Sequence, residues 1–415
     1  MEIVKASEML LENTAYEQIK EIETARKIIA DIRKNGDFAV RKYTKKFDGA
    51  DLKSFEITGK EIKQSYRQVD RKTIIALRKA ARNIRYFAKA QFKEMKNFAI
   101  NKNGVVLGQK IVPVEKAGCY VPGGRYPLPS TALMCVIPAK VAGVKEIIVC
   151  SPKIKPATIV AADIAGVDRI FNVGGVQAIA AMAYGTKTIP KVDKIVGPGN
   201  RFVTAAKKEV YGAVGIDFLA GPSEILIIAD GSGNAKMIAA DLLAQAEHDT
   251  NAKPDLITNS LELAEKVNYE LKKQLKELGT KETAAAALKN GRIILAKDLD
   301  EAVKISNIKA PEHLELQVKS PGKLASRLIN YGSLFIGKYS AEVFGDYCSG
   351  TNHTLPTNGA ARYTGGLSVK DFVKILTYQR ITKNGAKKLI PIASQLAKVE
   401  GLEGHKKSAQ ARDWK

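Results

Sequence analysis

From residue 130 to beyond 290, short apolar runs alternate with segments of helical period, and this alternation restricts the fold more than any other feature of the chain. STALMCVIPAKVAG reads as a helix and KEIIVCSP as a buried strand. ATIVAADIAG (helix), DRIFNVGG (strand), VQAIAAMAYGT (helix), DKIVGPGN (strand), RFVTAAKKEVYG (helix) and SEILIIAD (strand) continue the pattern. Past 230 it goes on through the helix AKMIAADLLAQAEHD, the strand PDLITNS, the long helix LELAEKVNYELKKQLKEL and the strand RIILAKD. Such apolar strands, joined by helices, pair in parallel and are covered on both faces. The expected fold class is therefore α/β with parallel-sheet cores.

The flanking regions differ. Residues 14–47 read as helical, with Ile19, Ile22 and Ala25 on one face, and 59–98 read as mostly helical. GVVLGQKIVPVEKAGCYVPGG reads as strands followed by a glycine and proline loop. Past 365 the pattern predicts helices with few strand signals, and the tail EGLEGHKKSAQARDWK has no apolar period. A chain of 415 residues has room for two or three domains. The N-terminus lacks the basic start and apolar core of a secretory leader, and no apolar stretch is long enough to span a bilayer. A cytoplasmic protein is expected. Cys119, Cys135 and Cys150 lie in or beside apolar runs, as small buried hydrophobes do, whereas Cys348 lies in a polar loop near Asp346. The net charge of +23 raises the question of nucleic acid. The cations are spread over amphipathic helices and not interleaved with aromatic residues, so the reading is a solvated basic surface that attracts anionic cofactors.

Four histidines occur, each in a polar segment: His248 in LLAQAEHD, His313 in APEHLEL, His353 in GDYCSGTNHTLP and His405 in EGLEGHKKS. Gln245 and His248 are three apart on a predicted helix, hence on one face. With Asp346 and His405 they form an N2O2 set suited to zinc or a similar ion, although a solvated Gln–His pair has the same spacing. Glu312 and His313 are adjacent. An imidazole titrating near neutrality can take a proton from an alcohol, and the carboxylate can activate water. The bland alternative is a capping acid beside a half-buried histidine. Glycine-rich loops at 121–130, 172–177 and 196–200 follow predicted strands, where parallel sheets collect ligands. No GxGxxG fingerprint occurs; DGSGNAK has Lys236 where the third glycine is expected.

YVPGGRYPLPSTALM, GPGNRFVTAAKK, GPSEILIIAD, LLAQAEHD, APEHLEL and GDYCSGTNHTLPT, in this order, resemble the histidinol dehydrogenase family over nearly the whole chain. The resemblance implies a zinc- and NAD-dependent, two-step oxidation of L-histidinol to L-histidine through a bound aldehyde. It implies two incomplete Rossmann-like domains, one of 16–119 with 225–367 and one of 120–224, an N-terminal extension (1–15), and a C-terminal segment (368–415) that reaches the partner in a domain-swapped homodimer. By match to the motifs, Gln245, His248, Asp346 and His405 are the implied zinc ligands. Ser223, His313, His353 and Glu400 join those four as implied substrate contacts. Tyr120, Gln177 and Asn200 are the implied NAD contacts, His313 the implied base, and Glu312 the implied activator of water. All these positions are filled as the family requires. The competing readings are a zinc-dependent dehydrogenase of another amino alcohol and a basic nucleic-acid-binding protein.

Overall fold

A computed structural model describes residues 1–6, 19–124 and 126–413. Positions 14–18 of the first expected helix and Arg125 of the loop at 121–130 lie outside the described residues. Strand β1 (Glu2–Lys5) is followed by helices α1 (Ile19–Asp48), α2 (Gly59–Gln68) and α3 (Arg71–Lys93). The expected helical stretch 59–98 is interrupted: Val69 is extended, and the Asp70 side chain starts α3 by accepting the Thr73 N–H. Phe98 already belongs to β2 (Phe98–Lys102), which pairs antiparallel with β3 (Val105–Pro113).

The first α/β unit runs β4 (Lys116–Tyr120), α4 (Pro129–Ala142), β5 (Glu146–Cys150), α5 (Pro156–Ala165), β6 (Arg169–Phe171), α6 (Gly175–Tyr184), β7 (Lys194–Val196), α7 (Arg201–Val210) and β8 (Gly215–Ile216). Its strands are all parallel, in the order β6-β5-β4-β7-β8. The order reverses between β4 and β7, the kind of switch point at whose strand carboxyl ends parallel sheets bind ligands. Ile84 of α3, Leu133 and Ile137 of α4 and Val160 of α5 bury one face of the sheet. Ile32 of α1, Ile179 and Met182 of α6 and Val203 of α7 bury the other.

The second unit runs β9 (Glu224–Ala229), α8 (Ala235–Ala246), β10 (Lys253–Thr258), α9 (Leu261–Leu275), α10 (Lys281–Ala287), β11 (Arg292–Leu295), α11 (Leu299–Lys309), β12 (His313–Gln317), α12 (Pro321–Ala325), β13 (Ser333–Ile336) and α13 (Glu342–Tyr347). Its sheet is also parallel throughout, ordered β1-β11-β10-β9-β12-β13. Packing divides the chain differently from the expected 16–119 boundary. Helices α1 and α3 cover the five-stranded sheet and β4 is its central strand, because the apolar faces of those helices meet α6 and α4. The N-terminal extension supplies the edge strand β1 of the other sheet.

Past 365 the expectation of helices with few strand signals is corrected. VKILTYQRI forms β14 (Val373–Ile381), antiparallel to β3 along its whole length, before α14 (Lys383–Val399) and α15 (Glu403–Gln410). Val373, Ile375, Thr377, Tyr378 and Ile381 are branched or aromatic residues that favour an extended backbone, and pairing with β3 along the whole segment fixes it as a strand although its two faces do not alternate in polarity. No helix among the described residues is long and apolar enough to cross a membrane.

Candidate active site

The amino edge of the six-stranded sheet faces α4 and α13. Helix α11 ends at Lys309, Ala310 adopts a left-handed conformation (φ 52°), and Pro311 prevents the helix from continuing. Glu312 and His313 therefore emerge at the start of β12, both buried. The Glu312 carboxylate accepts the Glu224 N–H at 2.9 Å. His313 Nδ1 lies 3.1 Å from the Glu224 carbonyl oxygen. A carbonyl only accepts, so Nδ1 carries the hydrogen and Nε2 is the ring atom left to take another. That Nε2 is buried without a hydrogen-bonding partner and faces Asp346 at 3.5 Å.

Asp346 sits at the end of α13, one turn after Glu342. His248 Nε2 is 3.8 Å from Asp346, and donor atoms of His248, Glu342 and Asp346 lie within 4.8 Å of one another. Helix α8 ends at Ala246, so the one-face helical argument for Gln245 and His248 fails: His248 occupies the following turn, its N–H bonded to the Gln245 carbonyl at 3.3 Å. Gln245 is buried beside Glu342, and the carboxylate, which can only accept, selects the amide orientation in which the Gln245 nitrogen donates to it and the amide oxygen is left for a cation. The oxygen and imidazole donors fit a zinc-type ion. His353 donates from Nδ1 to the Asp346 carbonyl at 2.8 Å and accepts the Thr131 hydroxyl of α4 through Nε2 at 3.1 Å. Asn352 donates to the Met134 carbonyl, so the segment after Asp346 is tied to the five-stranded unit. Ser223 is half-buried just before β9. Glu400 and His405 are exposed, at the end of α14 and on α15, and belong to no cluster within the described chain.

Charge within the cluster is strongly perturbed. Burial pushes the Glu312 carboxyl up to about 8, against the pull of His313. Burial disfavours a charged His313, but the carboxylates of Glu342, Glu312 and Asp346 outweigh it and raise the imidazole well above its ordinary value. For Asp346, burial is outweighed by the neighbouring His313, with His353 and His248 assisting, and its pKa falls to about 2.

The three expected dinucleotide contacts gather at the carboxyl edge of the five-stranded sheet. Tyr120 ends β4 and is buried, its hydroxyl accepting the Gly175 N–H at the start of α6. Gln177, on the same helix, is 1% exposed with neither amide atom partnered, as a residue awaiting a ligand would be. Asn200 caps α7, accepting from Phe202 and Val203 N–H groups. The three residues thus share the carboxyl edge of this sheet, whereas His313 lies at the amino edge of the other. DGSGNAK lies at the carboxyl end of β9, on the other side of its sheet from His313, and Asn234 there caps α8.

Sequence reasoning passed over Glu342, Glu224 and Lys309. Glu342 lies four before Asp346 in EVFGD, a spacing too common among acidic residues to single it out. Lys309 Nζ reaches Asp255 at 2.8 Å and Glu224 at 3.5 Å, a buried ion group beneath the start of β12. Also buried, Glu315 lies two residues beyond His313 on the same face of β12, beside Asp241 of α8. Burial and the nearness of Asp241 raise its carboxyl strongly. The native state then keeps a proton that the unfolded chain releases, so stability declines as pH rises above the ordinary carboxylate value. Glu315→Gln is expected to flatten the fall in Tm between about pH 6 and pH 9; equal slopes for the two proteins would exclude this titration.

Two doubly wound units, a crevice at the switch point of one and an imidazole–carboxylate cluster on the edge of the other, define the class as an α/β dehydrogenase. A family profile described as histidinol dehydrogenase matches residues 12–413. Histidinol dehydrogenase of Methanocaldococcus jannaschii is 47% identical over 417 residues, covering 99% of this chain and 97% of that protein. The Methanococcus maripaludis protein of the same name is 49% identical over 395 residues, covering 94% and 93%. A crystal structure of histidinol dehydrogenase from Elizabethkingia anophelis superposes with a TM-score of 0.90 at 40% identity, covering 94% of this chain and 91% of that one. The chain belongs to the histidinol dehydrogenase family.

Proposed function

We propose that the protein oxidises L-histidinol to L-histidine in one site, in the cytoplasm, through a bound histidinaldehyde and with two NAD+ reduced. The observation that carries this reading is the buried pair at the start of β12: an imidazole with a free Nε2 beside a carboxyl pushed up to about 8. Alcohol oxidation needs a base at the carbinol, and aldehyde oxidation needs water added first. His313 Nε2 takes the alcohol proton. Glu312 takes a proton from water as it adds to the aldehyde, and His313 takes the hydrate's proton in the second oxidation. Gln245, His248 and Asp346, with His405, would hold zinc, which when bound supplies a Lewis-acid anchor for the substrate's amino and imidazole nitrogens. Tyr120, Gln177 and Asn200 would hold NAD+, the hydride acceptor of each step. Ser223 and His353 line the substrate side, and an enclosed site keeps the reactive aldehyde from escaping.

The reading includes a homodimer in which Glu400 and His405 serve the partner's site. Supporting it, the C-terminal arm exposes apolar side chains in a row: Ile375, Ile392, Leu396 and Val399 are 58–76% exposed. An apolar face of this kind is ordinarily covered by another chain.

The test is product stoichiometry. Two NADH are expected for each histidinol consumed, with histidine as product; one NADH with free aldehyde, or faster oxidation of another amino alcohol, would refute the assignment. Glu312→Gln is expected to slow oxidation of histidinaldehyde by about 10²-fold while slowing that of histidinol less. Separate assays on alcohol and aldehyde measure this, and equal losses would remove the assigned role.

A further inference from the structure

Lys207 and Asp217 form a buried ion pair that the chemistry above does not use; their side chains are 3% and 0% exposed. Both also bind the backbone of Gly197, the first residue after β7. Lys207 Nζ donates to the Gly197 carbonyl at 3.0 Å, and the Gly197 N–H donates to Asp217 at 2.8 Å. The ammonium and the carboxylate bond directly to each other, closing the ring. Gly197 has φ of +112°, and a Cβ there would lie 2.1 Å from the Tyr120 carbonyl oxygen. The backbone of this loop thus presses against the end of β4 at the switch point, and neither polar group of Gly197 can pair within a strand there.

We propose that Lys207 and Asp217 are positioning residues for the dinucleotide: they clamp both polar atoms of Gly197 and so set the loop 197–200 that carries Asn200 into the crevice. This rests on the reading that the crevice beside Tyr120, Gln177 and Asn200 takes NAD+. Burying two charges for stability alone gives little return, since a matched apolar pair does as well. What an apolar pair cannot do is hold a carbonyl and an N–H of the same residue at once.

That difference supplies the test. Lys207→Met alone leaves Asp217 buried without its cation and is expected to lower Tm. The double variant Lys207→Met/Asp217→Leu is expected to recover part of that Tm, short of the wild type because the Gly197 carbonyl and N–H lose their partners, while its Kd for NADH, read by fluorescence titration, rises about tenfold or more. Zinc content should match the wild type, and the Gly197 amide should exchange faster. Unchanged NADH affinity in the double variant, or an unchanged Gly197 exchange rate, would overturn the clamp. Failure of the wild-type protein to bind NADH would instead remove the crevice reading, and the proposal with it.

Discussion

His313→Ala is expected to lower turnover of histidinol by about 10²- to 10⁴-fold, the range ascribed to a positioned acid–base group, with zinc content unchanged. The argument starts from the ring's two nitrogens. Nδ1 is committed to the Glu224 carbonyl and Nε2 has no partner but the nearby Asp346. The proposed ligands come from α8, the turn after it, α13 and, in His405, α15, and none requires the His313 imidazole. Rate and metal are to be measured on one preparation. Loss of zinc together with activity would recast His313 as part of the metal site. A second signature separates a lost base from a disturbed pocket: the variant's rate should keep rising with pH, as hydroxide substitutes for the imidazole, where the wild type levels off.

Much of the fold was written in local pattern. The βα alternation gave β5, β6 and β7 of the five-stranded sheet and β9, β10 and β11 of the other, because runs such as EIIVC and EILIIA are apolar and too short for buried helices, while the two-residue β8 left no such run. Side-chain period says nothing about which sheet a helix covers. Helices α1 and α3 were therefore assigned to the wrong unit, since their partners α6 and α4 lie far along the chain. Strand β14 was missed for a related reason: it is exposed on most positions, and its stability comes from pairing with β3, some 270 residues earlier. At the site, the histidines were conspicuous because there are four of them. Glu342 was not, because the sequence has 43 acidic residues and only the fold selects the one beside Gln245 and His313. His248 was found by a helical argument that the end of α8 does not support. It still reaches Asp346 because the turn folds back on Gln245.

Mixing inactive His248→Ala and His405→Ala proteins, after dissociation and reassociation, is expected to restore about a quarter of wild-type activity. Within one described chain His248 and Asp346 meet, while His405 stands exposed on α15 at the end of an arm. Strand β14 and its pairing with β3 fix the base of that arm, and α14 and α15 run on from it with apolar side chains uncovered. If His405 completes the partner's set, each mixed dimer gathers both defects in one site and leaves the other intact. Random reassociation makes about half the dimers mixed, with one working site in two, which gives the quarter. If His405 serves its own chain, every site carries a defect and the mixture stays inactive. A dimeric protein that shows no recovery would therefore locate the fourth ligand in the same subunit, and a monomeric active protein would exclude delivery of His405 across an interface. The outcome also decides what holds the arm: a segment that delivers a ligand across an interface makes metal occupancy depend on dimer concentration, so dilution should release zinc and activity together.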